Sequence, residues 1–439
     1  MAGLEAEIYD PRAKDHGYAE IEQHLRRSDA SYIASTAITS SIYDAIRVLE
    51  LAKRCRPQVV TLLGGLHPTF CNEEVLSSTA AVDYIVCGEG EATIRELLAV
   101  LEDGGDPAQV PGLAFCRAGQ VIVTPERRCM ESIDDLPAAW DLLEWPDYTY
   151  LVIPGSRLGA VNSSRACAHD TLSSLRARRY RDPQRLADEI VHLYEVYGVN
   201  VFLVTDEFPT NSRERWERLL DLLIERSLPL HLLMQAPSLD IIRDREIMWK
   251  YRKAGVVHIY VEFEAGDQAA DIGSDAGEGK LALDIIHEHG MVTEASFVLG
   301  GPDETRKNIE STLKRAQEYN PDNVQFLAFT PWPYSDSYED LKPFIKVHDY
   351  SRYNLIDPVV EPRMMSRLQV DVAMMDCYRR FYMGRMAEVM TMKDEFKRNY
   401  LMQAMKLIMG SSFMLKKLCM GTLGKIPAKI EEIMAGVDK

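Results

Sequence analysis

The sequence predicts an α/β protein in two parts, a Rossmann-like sheet followed by a partial (β/α)6 barrel, with a helical carboxyl-terminal region behind them. Three observations predict it. Short apolar runs alternate with amphipathic stretches from about 6 to 101, the pattern of a parallel sheet whose crossovers are helices. A stretch holding Trp140 and Trp145-Pro146 breaks the pattern. The alternation then restarts and carries six further apolar segments. These runs place a first domain at 1–127, a linker at 128–150, a barrel at 151–345 and the helical region at 346–439.

In the first part the expected strands are 6–9, 32–36, 59–63 and 84–87. Ile42, Ala45, Ile46, Leu49 and Ala52 recur at helical spacing and form one apolar stripe. A Rossmann-type module opens with a strand and a tight turn, so the chain enters at what reads as the second strand, with the first strand missing. A hairpin is expected over 112–124, turning at Ala118-Gly119-Gln120. In the second part the strands are expected at 160–164, 199–205, 231–235, 256–263, 292–299 and 324–329. Asp182-Pro183 opens the first helix there, an Asp cap followed by a first-turn proline.

Ligands of parallel α/β sheets bind at the carboxyl ends of the strands. In the first part those ends carry Ser35, Thr36 and Ser40, then Gly64, Gly65 and His67, then Gly88, Glu89 and Gly90. Glycine lets a backbone approach a ligand closely, but such loops are equally ordinary turns, and the Ser/Thr run equally caps the helix after it. In the second part the strand ends carry Asp206 and Glu207, Glu262 and Glu264, and Gly300, Gly301 and Glu304. Acidic side chains at a barrel mouth suit an amine and ribose hydroxyls. Asp206, Glu207 and Glu262 are the candidate catalytic residues, with salt-bridged loop ends as the plainer reading.

A formal charge of −17, from 50 basic and 67 acidic residues, argues against general nucleic-acid binding, which depends on neutralising phosphates. No apolar run approaches the roughly 20 residues that span a bilayer, and the opening Met-Ala-Gly-Leu-Glu-Ala-Glu has no secretory pattern; a cytoplasmic protein is expected. The eight cysteines are scattered, without metal-site spacing, and most are expected to be small core residues. From 396 to 430 there are seven basic residues and no acidic one, interleaved with Met, Leu and Phe. Such a segment is a candidate for an anionic membrane surface or an acidic protein partner, or for packing on the acidic body of the same chain.

Several motifs carry a resemblance. Gly-Glu-Gly-Glu-Ala at 88–92, Asp206-Glu207-x-Pro-Thr, Tyr251-Arg-Lys-Ala-Gly-Val-Val-His258, Thr330-Pro-Trp-Pro333, His348-Asp-Tyr-Ser-Arg-Tyr-Asn354 and Tyr378-Arg-Arg-Phe-Tyr382 resemble the cobalamin-binding radical-SAM family, and within it the anaerobic Mg-protoporphyrin IX monomethyl ester oxidative cyclases. The resemblance runs from about 5 to 425. It implies a cobalamin-binding-type first domain and a radical-SAM-type barrel. It also implies that Asp206 and Glu207 hold the methionine amine of S-adenosylmethionine, that Glu264 lies near the ribose, and that Gly300, Gly301 and Glu304 lie beside the adenine and carboxylate. Cobalamin would touch Ser35 to Ser41, Gly64 to Thr69 and Gly88 to Glu91.

The family holds a four-iron four-sulfur cluster with Cys-x-x-x-Cys-x-x-Cys. Here the aligned stretch keeps Cys167 alone, with Thr171 and Ser174 in the other two places. Hydroxyls stay protonated near neutral pH and are hard ligands, whereas such clusters need thiolates. The cluster is therefore expected to be absent and Cys167 vestigial; Cys167, His169 and Asp170 are an alternative zinc or ferrous site. Three readings follow. The first is a diverged family member using S-adenosylmethionine or cobalamin for cluster-free polar group transfer on a tetrapyrrole-like or other flat apolar substrate. The second is a pseudoenzyme partner or regulator of an intact paralogue, and the third a radical oxidative cyclase with unusual cluster ligands.

Overall fold

The computed structural model describes residues 5–136, 138–166, 178–263 and 276–410, and the chain forms two compact units. The first unit comprises Met1–Asp147, Ser164–Tyr180 and Thr330–Val359; the second comprises Tyr148–Ser163, Arg181–Phe329 and Val360–Lys439.

In the first unit β1 (Tyr32–Thr36), β2 (Val60–Gly64), β3 (Tyr84–Val86), β4 (Leu113–Arg117) and β5 (Gln120–Val123) lie side by side in that order. The first three are parallel, and β4 and β5 add an antiparallel hairpin. Its turn places Ala118 and Gly119 at φ 51° and 79°, the paired left-handed residues that match a hairpin's twist. The helix Ile42–Cys55 buries Ile42, Ala45, Leu49 and Ala52 of the expected stripe. Segment 6–9, expected as a strand, is not one. Among the described residues β1 is the outermost strand, and 6–9 does not pair with its free edge. Tyr9 instead stacks on His24 at 3.9 Å and packs with Ile21 and Leu25 of the helix Tyr18–Arg27.

Further along come β6 (Leu158–Val161), the short antiparallel pair β7 (Ser164–Arg165) and β8 (Arg179–Tyr180), then β9 (Val201–Val204), β10 (His231–Gln235), β11 (Val256–Phe263), β12 (Val292–Leu299) and β13 (Asn323–Ala328). The second unit's six strands, all parallel, stand in the order β13-β12-β11-β10-β9-β6, with helices between β9 and β13. This is the expected partial barrel. The run expected at 160–164 divides: β6 ends at Val161 and Ser164 belongs to β7, in the first unit. Asp182 accepts from the Arg185 amide, the expected cap.

The last barrel strand needs cover, because an unpaired strand exposes a row of backbone donors and acceptors. The long helix Arg367–Thr391 supplies it with two tyrosines one turn apart. Tyr378 Oη accepts from Phe326 N (2.9 Å) and donates to Phe326 O (3.2 Å), and Tyr382 Oη does the same with Val324 (3.1 and 3.0 Å).

The helix Glu395–Gly410 closes the amino-terminal floor of the same sheet. Phe396 stacks on His231 at 5.5 Å, while Tyr400, Leu401 and Met405 pack with Val292, Tyr150 and Ile153. One buried carboxylate anchors it. Asp322, 1% exposed, lies 2.7 Å from Lys397 Nζ and 3.0 Å from His287 Nε2, and accepts from the Thr293 amide at 2.9 Å. Burial pushes this carboxyl up, but the His287 hydrogen bond and charge, with Lys397, outweigh burial and hold it well below the usual range. Lys397, one of the basic residues at 396–430, is thus an interior anchor; 411–430 lies outside the described residues. Among the cysteines, Cys377 is buried as expected, whereas Cys55, Cys71 and Cys87 are half-buried and Cys116 is exposed, since they fall at element ends or on the outward side of β4. No helix among the described residues is long and apolar enough to cross a membrane.

Two outcomes follow. Asp322→Asn leaves Lys397 buried without its counter-charge and lowers stability by roughly 3–5 kcal/mol in denaturant titration. The wild-type contribution of this carboxylate is complete above the ordinary Asp pKa of about 4 and declines as pH falls below it, so the gap between wild type and variant narrows toward acid pH. Tyr382→Phe strands the Val324 amide and carbonyl and costs about 1–3 kcal/mol, while Phe at the exposed Tyr43 leaves the midpoint unchanged.

Candidate functional site

The candidate residues gather at the carboxyl ends of the two sheets, and each unit builds its own set. In the first unit short hydrogen bonds tie the three parallel strand ends together. Ala37 N donates to Gly64 O at 2.9 Å, Thr69 Oγ1 to Gly65 O at 2.8 Å, and Gly88 N to Thr69 Oγ1 at 3.1 Å. Gly65 has φ 101°, and a Cβ there would lie 2.4 Å from Ala37 O. That position admits glycine because two loops meet, a reason internal to the fold. His67 is 1% exposed, lies 3.1 Å from Thr39 Oγ1 through Nδ1, and meets Tyr350 edge-on at 4.9 Å. Burial holds its pKa down at about 4, so the imidazole is neutral near pH 7. Around these loops Ser35 and Ser40 are half-buried, Thr36 is exposed, and Ile38, Leu66 and Phe70 show apolar surface. Phe70 in turn stacks on Tyr334, which stacks on Trp332.

The loop Gly88-Glu89-Gly90 opens the helix Gly90–Glu102. Its carboxylates are engaged by two arginines that flank the stretch carrying Cys167. Arg179 Nη2 and Nη1 donate to the two oxygens of Glu89 at 2.5 and 2.9 Å, and Arg165 Nη1 donates to Glu91 at 2.6 Å. Arg179 also donates to Met130 O at 2.7 Å, and the Met130 amide donates to Glu89 at 3.1 Å. Burial pushes the Glu89 carboxyl up, but the Arg179 and Met130 hydrogen bonds bring it net below the usual range. A cavity of about 420 Å³ opens between Gly88, Glu89, Gly90, Glu91, Arg165 and Ala166. Glu89, expected as a ligand contact, is also the joint between this loop and the β7–β8 pair.

In the second unit Asp206, 6% exposed, follows β9 and accepts from the Ser163 amide just beyond β6 at 2.6 Å. The loop it begins is braced on both sides. Arg215 donates to Pro209 O (2.7 Å) and Ser163 Oγ (3.1 Å), Thr210 donates to Asp240 (2.6 Å), and Arg243 donates to Thr210 O (2.8 Å). Glu207 and Glu262 are exposed at the ends of β9 and β11. After β12, Glu304 accepts from Gly300 N (2.9 Å) and Thr305 N (3.2 Å), folding the turn around its own carboxylate. Burial raises the Glu304 carboxyl, partly offset by those amides. Gly300 has φ 88°, and a Cβ there would lie 2.8 Å from Val370, whereas Gly301 faces open space.

Asp206, Glu207, Glu262, Gly300 and Gly301 thus stand at one end of one sheet. Glu264, Cys167, His169, Asp170, Thr171 and Ser174 lie outside the described residues. Sequence reading missed Ser163, Arg215, Arg165 and Arg179; the basic run Arg176-Ala-Arg178-Arg179-Tyr-Arg181 was the available signal for the last. The sequence supplies one thiolate where a cluster needs three, and among the described residues no three His, Cys, Asp or Glu converge as a metal set. That donor set does not fit an iron–sulfur cluster. The acidic strand ends and the open Gly301 turn do fit a cationic, hydroxyl-rich ligand.

Comparison with known proteins agrees with this architecture. Residues 1–98 match the model of the B12 binding domain. The chain is 32% identical over 429 residues to the anaerobic magnesium-protoporphyrin IX monomethyl ester cyclase of Rubrivivax gelatinosus, covering 94% of this chain and 77% of that protein. It is 31% identical to the cyclase of the same name from Cereibacter sphaeroides, covering 89% and 66%. Among solved structures, the radical S-adenosylmethionine methyltransferase TsrM of Kitasatospora setae, with cobalamin and an iron–sulfur cluster bound, superposes with a TM-score of 0.64 at 14% identity over 77% of this chain and 72% of that one. The cobalamin-dependent S-adenosylmethionine radical enzyme OxsB gives 0.64 at 14% identity over 96% and 68%. These two share the fold. With that extent of identity and a sequence that lacks the cluster motif, the chain belongs to the anaerobic magnesium-protoporphyrin IX monomethyl ester cyclase family of cobalamin-binding, radical-SAM-related proteins.

Proposed function

We propose that this chain is a diverged member of its family that binds S-adenosylmethionine at the mouth of the second sheet and performs polar group transfer without an iron–sulfur cluster. The observation that carries the reading is a contrast. The acidic strand ends and their bracing remain built, from Ser163–Asp206 to Gly300–Glu304, while two of the three cluster thiolates are replaced by Thr171 and Ser174. S-adenosylmethionine supplies an electrophilic methyl group when bound. Asp206, fixed by the Ser163 amide, and the exposed Glu207 would hold its ammonium group. Glu262, at the end of β11, would take a proton from the group that accepts the methyl. Glu264 near the ribose, and Gly300, Gly301 and Glu304 beside the adenine and carboxylate, complete the proposed contacts.

Cobalamin is proposed at the first unit's strand ends, over Ser35, Thr36, Ser40, Gly64, Gly65, Gly88, Glu89 and Gly90. The exposed apolar Ile38, Leu66 and Phe70 suit a flat macrocycle. His67 is enclosed by Thr39 and Tyr350, so its role there would be to shape the loop rather than to bind cobalt. The substrate class, a tetrapyrrole-like or other flat apolar molecule, is taken from the cyclase relatives, and methyl transfer is in keeping with the uncharacterized methyltransferase of Pyrococcus horikoshii, 27% identical over 403 residues. The lost thiolates also favour a second reading, a non-catalytic partner of an intact paralogue.

Calorimetric titration of the full chain with S-adenosylmethionine and hydroxocobalamin separates the two. Saturable binding of S-adenosylmethionine, weakened about tenfold, or roughly 1.4 kcal/mol, by Glu207→Gln with an unchanged melting temperature, supports the proposal. Binding of neither ligand leaves the partner reading. Glu89→Gln loosens the Arg179 clamp and weakens cobalamin without altering S-adenosylmethionine affinity.

A further inference from the structure

The inner face of the second sheet holds a polar row that the site above does not use. Phe263, Phe297 and Phe326 turn outward and pack with one another and with Tyr319 of the helix Arg306–Tyr319. Alternation along the strands therefore turns His258, Tyr260 and Glu262 of β11, Glu294 and Ser296 of β12, and Gln325 of β13 inward, and the ladder pairs Tyr260 with Glu294. At the floor these groups stand in a row of short contacts. Tyr150 Oη lies 2.6 Å from Tyr400 Oη, Tyr400 Oη lies 2.7 Å from His258 Nδ1, and His258 Nε2 lies 2.9 Å from Glu294 Oε2. The other Glu294 oxygen accepts from Gln325. At the outer end Tyr150 is half-buried, and Tyr400 borders a cavity of about 420 Å³ lined by Val152, Ile153, Phe396 and Met402.

Stability alone gives this row no reason to exist. Replacing a buried ion pair with apolar side chains of similar volume is often neutral or stabilising by about 1–4 kcal/mol. Nor is the row needed to hold the helix Glu395–Gly410, which Lys397 already ties to Asp322 and Leu401 packs against the floor. Its chemistry is distinctive in another way. A phenol, an imidazole and a carboxyl can each give a proton and take one; His258 is hydrogen-bonded to Tyr400 through Nδ1 and stands at ion-pair distance from Glu294 through Nε2, which has no aligned hydrogen-bond partner among the described residues.

We propose that Tyr150, Tyr400, His258 and Glu294 form a proton relay through the barrel floor, connecting solvent at the amino-terminal face with the interior below Glu262. A proton arriving on Glu294 passes to His258 Nε2. The Nδ1 proton moves to Tyr400, the Tyr400 hydroxyl proton to Tyr150, and the Tyr150 proton to water. One proton leaves, Glu294 returns to carboxylate, and no electron moves. The relay rests on the proposed group transfer, for which it adds a route through the floor to the solvent already open to the exposed Glu262, but its test needs neither ligand nor substrate.

The test is solvent exchange of the His258 ring N–H in the full-length chain labelled with [15N]histidine, with the resonance assigned through its loss in His258→Gln. The backbone amide of His258, in the middle of the ladder, reports local opening. In a working relay the ring proton exchanges at least about a hundredfold faster than that amide. Tyr150→Phe slows the ring proton about tenfold or more and leaves the amide unchanged. Tyr400→Phe gives the same result one step further in, should Tyr150→Phe disturb the floor. Equal ring and amide rates in the wild type, or ring exchange unaltered in both folded variants, would overturn the relay.

Discussion

A sheet of six parallel strands that does not close on itself leaves two demands on the rest of the chain: its last strand needs hydrogen-bond partners, and its amino-terminal floor needs a cover. Both come from the carboxyl-terminal helices. Tyr378 and Tyr382 meet the first by repeating, at the spacing of one helical turn, the donors and acceptors that a seventh strand would have offered to Phe326 and Val324. Phe396, Tyr400 and Leu401 meet the second, and the Asp322–Lys397 pair fixes the helix that carries them. These supports sit at the edge and the floor, and the long helix also reaches the carboxyl end of β12, where a Cβ at Gly300 would meet Val370.

The same economy operates within the loops. Asp206 spends one oxygen on the Ser163 amide, and Glu304 spends both on its own turn. Such carboxylates are preorganised, so a ligand that meets them pays little for ordering them. In the first unit Glu89 and Glu91 are matched by Arg179 and Arg165, which bracket the stretch that carries a cluster in the wider family. Ion pairs here fix the residues on either side of that stretch. That arrangement is consistent with the replacement of two thiolates by hydroxyls without loss of the surrounding architecture.

Much of this was legible in the sequence, and the reasons are local. β10, β11 and β12 match their expected bounds because each is a run of β-branched, aromatic and aliphatic residues closed by glycine, proline or charge. The hairpin turn at Ala118-Gly119 and the Asp182 cap are equally local signals. Segment 6–9 reads as a strand by composition, but Tyr9 packs on the helix Tyr18–Arg27 and the segment leaves the free edge of β1 unpaired. Tyr378, Tyr382, His258 and Arg179 were visible as residues, and three of them lie inside recognisable motifs. Their roles depend on partners 52 to 142 positions away, which no local pattern encodes. The membership of Thr330–Val359 in the first unit is of the same kind, a tertiary choice made by Tyr334 and Tyr350 against Phe70 and His67.

Whether the proposed S-adenosylmethionine site works without a cluster is decided by reconstituting the anaerobically purified chain with ferrous iron and sulfide in the presence of S-adenosylmethionine, then recording iron content and the Mössbauer spectrum. The expected result is no bound four-iron cluster in a chain that still retains S-adenosylmethionine. A stoichiometric cluster whose spectrum responds to S-adenosylmethionine would contradict it and restore the radical reading.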